Sequence, residues 1–166
     1  LYLQKNNHVF ESRIIWKIPV CYNDYYGVDL DNISKKINIK KNKIIQLHYE
    51  NTYQVCFLGF LPGFLYLSNL NKKLYFPRKV QPDLNIIKGS VGIGGNQTGV
   101  YPSNSPGGWN IIGNSPIDFV DKRNLDKISF ASPGDSIKFY PIDIEEHNHI
   151  SNNLNTYTIE SEVSND

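Results

Sequence analysis

Apolar positions follow different rhythms in different parts of the chain. From Arg13 to Ile18 β-branched and aromatic residues run together, which predicts a strand halted by Pro19. Leu30, Ile33 and Ile37 then recur at helical spacing, with Asp29 placed to cap the first turn. A second short helix is predicted from Lys40 to Glu50, and strand chemistry returns from Tyr53 to Phe60. Beyond Phe60 the helical period vanishes. Short runs such as Ser90-Val91-Gly92-Ile93, Trp109-Asn110-Ile111-Ile112 and Ser136 to Tyr140 are separated by Gly and Pro. Many short strands between such turns point to a barrel or sandwich. From Asp143 the pattern becomes polar and predicts a tail that is loose or belongs to a missing neighbour.

Composition narrows the classes. The chain has 166 residues, 40% of them apolar and 20% charged, enough for one globular domain with a real core. A formal net charge of +1 and the absence of a basic stripe argue against nucleic acid and anionic membranes as partners. The lysines between Lys35 and Lys43 read as a solvated helix face. The longest apolar run, Val55 to Leu67, is broken by Pro62 and two glycines and falls short of the ~18 residues of a membrane span. Cys21 and Cys56 form no paired motif, which fits a reducing cytoplasm. The chain starts at Leu1 and has no methionine, so a fragment of a longer protein is expected.

Candidate chemistry is sparse. The stretch Gly89 to Gly99 lacks the Gly-Lys-Ser/Thr ending of a phosphate loop and reads as strand, turn, strand. His147 and His149 form an isolated pair without further ligands, so no metal held by this chain is expected. His48 closes a helix just before a strand, a place where the helix dipole also favours histidine. Gly59-Phe60-Leu61-Pro62-Gly63-Phe64-Leu65-Tyr66-Leu67 sets three aromatics on a rigid loop, followed by Phe76-Pro77-Arg78, Tyr101-Pro102 and Ser105 to Trp109. Such loops either line a recognition surface or fill the ends of a barrel.

These strings also carry a resemblance. Gly59 to Leu67, Pro77-Arg78, Gly89 to Pro102, Ser105 to Gly113 and Pro133 to Pro141, with Ile18 to Tyr22, Tyr26 to Leu30 and Leu47-His48 upstream, resemble in one order the allophanate hydrolase subunit 1 family. That family includes the B subunits of bacterial ATP-dependent 5-oxoprolinases and an inhibitor of a sporulation histidine kinase. The resemblance implies a mainly β chain: a cyclophilin-like β-barrel over residues 13–142 with two short helices near its N-terminus. Residues 1–12 would then end a preceding domain or linker, and residues 143–166 would be a polar tail.

It further implies a subunit that works with the C and A subunits of a 5-oxoprolinase on a cyclic amide. ATP would be shared with, or bound by, a partner subunit. Arg78 would orient an anionic group, with Ser90, Gln97 and Thr98 as hydrogen-bonding neighbours and His48 as the proton-transfer candidate. Phe60, Phe64, Tyr66, Tyr101 and Trp109 would line the pocket or face a partner. Two departures stand out: Pro82-Asp83 where the family often has a second Pro-Arg, and Ile86-Ile87-Lys88 before Gly89. An arginine lost there weakens anion binding, because aspartate offers no paired donors. The alternatives are a kinase-binding module, a subunit of an allophanate- or urea-type amidohydrolase, and, on fold alone, a prolyl isomerase.

Overall fold

The computed structural model describes residues 13–120 and 129–164. The expected linker over residues 1–12 lies outside the described residues. The barrel is built from β1 (Ile14–Cys21), β2 (Thr52–Leu58), β3 (Leu65–Ser68), β5 (Ser90–Gly94), β6 (Gln97–Val100), β8 (Asn110–Asn114) and β9 (Ser136–Ile142). Their order is β1-β8-β5-β6-β3-β2-β9, and β9 pairs back onto β1 in parallel, closing the ring. Closure gives each of these seven strands a neighbour on both sides. A separate two-stranded arm joins β4 (Asp83–Ile86) to β7 (Ser105–Gly107).

Helices α1 (Leu30–Ile37) and α2 (Lys41–Tyr49) lie where the periodicity predicts them. Leu30 and Ile33 of α1, with Ile44 of α2, join the barrel core beside Val20, Tyr53, Leu67, Val91, Ile112 and Phe139. Burial of such side chains contributes roughly 1.5–3 kcal/mol each.

Three local expectations give way. Pro19 does not halt β1, which continues to Cys21. β10 (Ser161–Val163) pairs with β1 only up to Trp16, and β8 only at Cys21, so at Pro19 the ladder is with β9 alone. A residue without N–H fits where one side of the strand is unpaired.

Asp29 precedes α1 but makes no side-chain cap. Its carboxylate instead accepts from the Ile111 N–H at 2.7 Å and pairs with Lys79 at 2.7 Å. The polar end is not loose either. It forms a third helix, α3 (Ile144–Asn152), and the short strand β10 on β1. Asp143 caps α3 by accepting from the Glu146 N–H at 2.8 Å, and Ile150 is buried in the barrel core.

Candidate functional site: an aromatic platform on a glycine trough

The hairpin β5–β6 has two faces of opposite character. Val91 and Ile93 on β5, with Thr98 and Val100 on β6, point into the barrel and are fully buried. Gly92, Gly94 and Gly99 lie on the outer side. Gly99 pairs with Tyr66 on one flank and Gly92 on the other, and Gly92 pairs with Ile111. Tyr66 in turn pairs with Phe57 of β2. A row Phe57–Tyr66–Gly99–Gly92–Ile111 thus crosses five strands, with a trough at its two glycines.

Trp109 fills that trough. A Cβ at Gly94 would stand 2.5 Å from Trp109 Nε1, one at Gly99 3.0 Å from its Cζ3, and one at Gly92 3.1 Å from its Cβ. The indole is thus what a side chain at Gly94 would strike, while one at Gly99 would also strike the Leu65 carbonyl at 2.5 Å. The stretch Gly89 to Gly99 is a hairpin serving a tryptophan.

Around Trp109 the aromatic loop assembles. Phe64 meets it edge-on at 5.4 Å between ring centres and Tyr66 at 5.7 Å, while Tyr101 meets Phe64 at 5.1 Å. Phe64, Tyr101, Trp109, Ile86 and Ile111 form a second apolar cluster outside the barrel core. Phe57 stacks on Tyr66 at 4.1 Å. Phe60 packs on Phe64 at 5.9 Å, remains 64% exposed and has φ of 66°. A left-handed phenylalanine is uncommon and costs about 1 kcal/mol or more.

The guanidinium of Arg78 lies over this platform, 5.4 Å from the Trp109 ring. It is exposed and has no acidic partner within ion-pair distance among the described residues. Its neighbour Lys79 differs. Lys79 Nζ sits 2.7 Å from Asp29 and 2.5 Å from Asp83. Burial alone would pull its pKa down, but the two carboxylates outweigh that and raise it. Asp83 is thus one of two ion-pair partners of Lys79. At Tyr101 burial pushes the hydroxyl up, partly offset by a hydrogen bond with the Trp109 backbone and by the Arg78 charge.

The expected site residues therefore divide. Arg78, Phe60, Phe64, Tyr66, Tyr101 and Trp109 come together. Gln97 lies at the end of the trough, half-buried and paired with Gly94. Ser90 is buried at the start of β5, where its carbonyl accepts from the Tyr101 N–H.

Thr98 and His48 are inside the barrel and fully buried. Thr98 Oγ1 donates to the Gly92 carbonyl at 2.9 Å and lies 2.9 Å from His48 Nε2. The hydroxyl's one hydrogen is thereby used, so His48 Nε2 carries a proton and donates. Nδ1 is left to accept from the Tyr22 hydroxyl at 2.8 Å. The ring stacks on Phe139, and burial pulls its pKa down to about 3. A neutral histidine with both nitrogens committed has no free position from which to pass a proton to a bound molecule. In this geometry His48 is a core hydrogen-bonding residue, and the helix-dipole reading, which needs its charge, does not apply either.

His147 repeats the arrangement. Its Nε2 donates to Asn114 Oδ1 at 2.9 Å, its Nδ1 faces the Tyr26 hydroxyl at 3.3 Å, and burial lowers its pKa. His149, two residues along α3, is exposed on another face. The two do not converge on a common point.

Two depressions of about 530 Å³ and 390 Å³ lie elsewhere on the molecule. The first is bounded by Trp16, Phe130 and Tyr157, the second by Lys17, Lys138 and Glu160. None of the expected site residues lines either. Sequence reasoning missed Phe57, Ile111 and the glycine paving. The alternation Val91-Gly92-Ile93-Gly94 was the available signal for a strand whose outer side must be bare.

Residues 1–130 match the family model described as carboxyltransferase domain, subdomain C and D. The chain is 44% identical over 131 residues to the B subunit of 5-oxoprolinase from Escherichia coli O157:H7, covering 79% of this chain and 59% of that protein. It is 40% identical over 137 residues to the 5-oxoprolinase B subunit of Bacillus subtilis strain 168, covering 82% and 56%. The crystal structure of a conserved uncharacterized protein from Pyrococcus horikoshii superposes with a TM-score of 0.76 at 40% identity, over 80% of this chain and 61% of that one. The chain thus spans under two thirds of the length of each of these relatives. No helix among the described residues is long and apolar enough to cross a membrane.

Proposed function

The chain belongs to the carboxyltransferase subdomain C and D family, which takes in the 5-oxoprolinase B subunits, and from that premise we propose that it is the barrel of a 5-oxoprolinase subunit. The reaction is the ATP-dependent opening of 5-oxo-L-proline to L-glutamate, carried out in complex with the C and A subunits. ATP is used by the complex and held with, or by, a partner subunit.

The observation that carries this reading is Arg78 on Trp109. An exposed guanidinium without an acidic partner among the described residues sits on an aromatic floor, while the adjacent lysine is neutralised twice over. A five-membered lactam bearing a carboxylate matches both parts. The carboxylate takes the paired donors of the guanidinium, and the flat ring lies against Trp109 and Tyr66. Phe60, Phe57 and Gln97 border the platform and complete the enclosure together with a partner subunit, which closes what this chain leaves open. Phe64, Tyr101 and Ser90 hold the floor from behind, and Thr98 and His48 do so from the barrel interior.

The test is 5-oxoproline-dependent ATP hydrolysis by the full-length protein purified with its A and C subunits. Omission of this subunit should abolish turnover. Arg78→Ala should lower turnover by about a hundredfold or more while stability stays within roughly 0.5 kcal/mol, as expected of an exposed side chain. Unchanged turnover in that variant overturns the role of Arg78. Complex formation without 5-oxoproline turnover points to another amide-like substrate, and no complex at all favours a binding module.

A further inference from the structure

The hydrogen-bonded chain through the barrel ends directly beneath the platform. Tyr22 donates to His48, His48 donates to Thr98, and Thr98 donates to the carbonyl of Gly92, at 2.8, 2.9 and 2.9 Å. Gly92 is one of the two glycines at the floor of the trough, and Gly99, the residue after Thr98, is the other.

At those two positions neither strand has a side chain with which to pack, so their spacing depends on backbone and on what grips the backbone from below. The ladder next to Gly92 is also irregular: the pairing of β5 with β8 shifts register between Val91 and Gly92. Thr98 is the side chain that takes hold there. Its inward hydroxyl bonds the Gly92 carbonyl across the hairpin, and His48 fixes the hydroxyl's direction by using its remaining acceptor position.

We propose that Thr98, oriented by His48, is a positioning residue for the Arg78–Trp109 platform: it sets the depth of the glycine trough from inside the barrel, and so the height at which the indole and guanidinium meet a ligand. The inference rests on the reading of that platform as a substrate site. Neither Thr98 nor His48 touches the substrate. Their influence passes through the Gly92 backbone to Trp109, which packs so closely over that glycine that a Cβ added there would meet the Trp109 Cβ at 3.1 Å. Close packing of this kind transmits a small displacement of the backbone to the indole.

The variant is Thr98→Val, which keeps the branched shape and deletes the hydroxyl, with Thr98→Ser as the conservative rescue. Full-length protein labelled with 5-fluorotryptophan reports on the indole by fluorine NMR, the Trp109 resonance being assigned with Trp109→Phe. In Thr98→Val the Trp109 resonance should move while that of Trp16 stays. In the assembled complex KM for 5-oxoproline should rise by about fivefold or more with kcat changed less than about twofold. Thr98→Ser should restore both.

Ile150→Ala, on α3, serves as a destabilised control and should move neither readout. Loss of stability in Thr98→Val with an unmoved Trp109 resonance and unchanged KM overturns the proposal and leaves Thr98 a structural residue. If the wild-type complex does not turn over 5-oxoproline, the reading of the site fails instead, and the resonance shift still decides whether Thr98 governs the platform. Should Thr98→Val not fold, His48→Gln provides the same test one bond further from the trough.

Discussion

The two sides of the β5–β6 hairpin are built from the same short stretch of chain and behave as opposite solvents. Inside, Thr98 and His48 are sealed among Tyr53, Phe139 and Val91, and every polar atom of the chain from Tyr22 to Gly92 answers another. Outside, Trp109 packs on bare glycine beside Tyr66, and Arg78 above the indole has no protein carboxylate to answer among the described residues. A polar group deep in a core must be satisfied by the protein itself, because leaving it bare costs roughly 1–3 kcal/mol. A polar group at a rim carries no such penalty and stays available. The contrast explains why His48 is held within the core hydrogen-bond chain and why the arginine is the better candidate for binding.

The interior should be the more sensitive side. His48→Ala leaves the Tyr22 hydroxyl without its acceptor and opens a cavity beside Phe139, for an expected loss on the order of 3–5 kcal/mol by denaturant unfolding. A loss under about 1 kcal/mol would mean that the core does not depend on this relay.

Acid sharpens the same point. His48 has its pKa pulled down to about 3 in the fold, against an ordinary value of 6.5. As pH falls below 6.5 the unfolded chain takes up a proton that the fold refuses, so stability drops, by at most about 1.4 kcal/mol per pH unit for this residue, until about pH 3. His147 is lowered too and adds to the slope. His48→Gln should be less stable at neutral pH but show a shallower acid dependence, measurable as melting temperature against pH. An unchanged slope would show that His48 is not held neutral.

The outer side should respond least in stability and most locally. Gly94→Ala would set a methyl group 2.5 Å from Trp109 Nε1, so the packed indole must shift to admit it. A cost of about 1–2 kcal/mol is expected, together with a change in Trp109 fluorescence and no change in the acid slope. If the emission stays put, the indole does not rest on the trough.

Much of the frame was legible beforehand. The helices at Leu30–Ile37 and Lys41–Tyr49 follow from apolar spacing, and β5, β8 and β9 follow from short β-branched runs between glycines and prolines. The resemblance pointed to a barrel, and a closed seven-stranded one forms. What escaped was decided across long separations. α3 had its signal in Asp143 and the acidic first turn, yet its polar outer face hid the two residues, His147 and Ile150, that bury it. Asp29 looked like a helix cap because nothing local shows that Lys79 and the Ile111 N–H come to meet it. The aromatic loop and Arg78 were recognised as belonging together, whereas the depth of His48 could not be, since a histidine at a helix end reads the same whether it faces water or the core.

Taken alone, the amino-acid order determined α1, α2 and the strands β1, β2, β5, β8 and β9, because period and turn residues act over a few positions. It also determined that β5 must have one bare side, since Gly92 and Gly94 are written into its alternation. Only the tertiary structure decided what lies on that bare side and what lies under it. Trp109, Arg78 and Tyr66 reach the trough from three separate stretches of chain, and His48 reaches Thr98 across fifty residues. Contacts of that kind arise from closure of the barrel, which brings distant strands into register and assigns each side chain to the dry interior or the wet face.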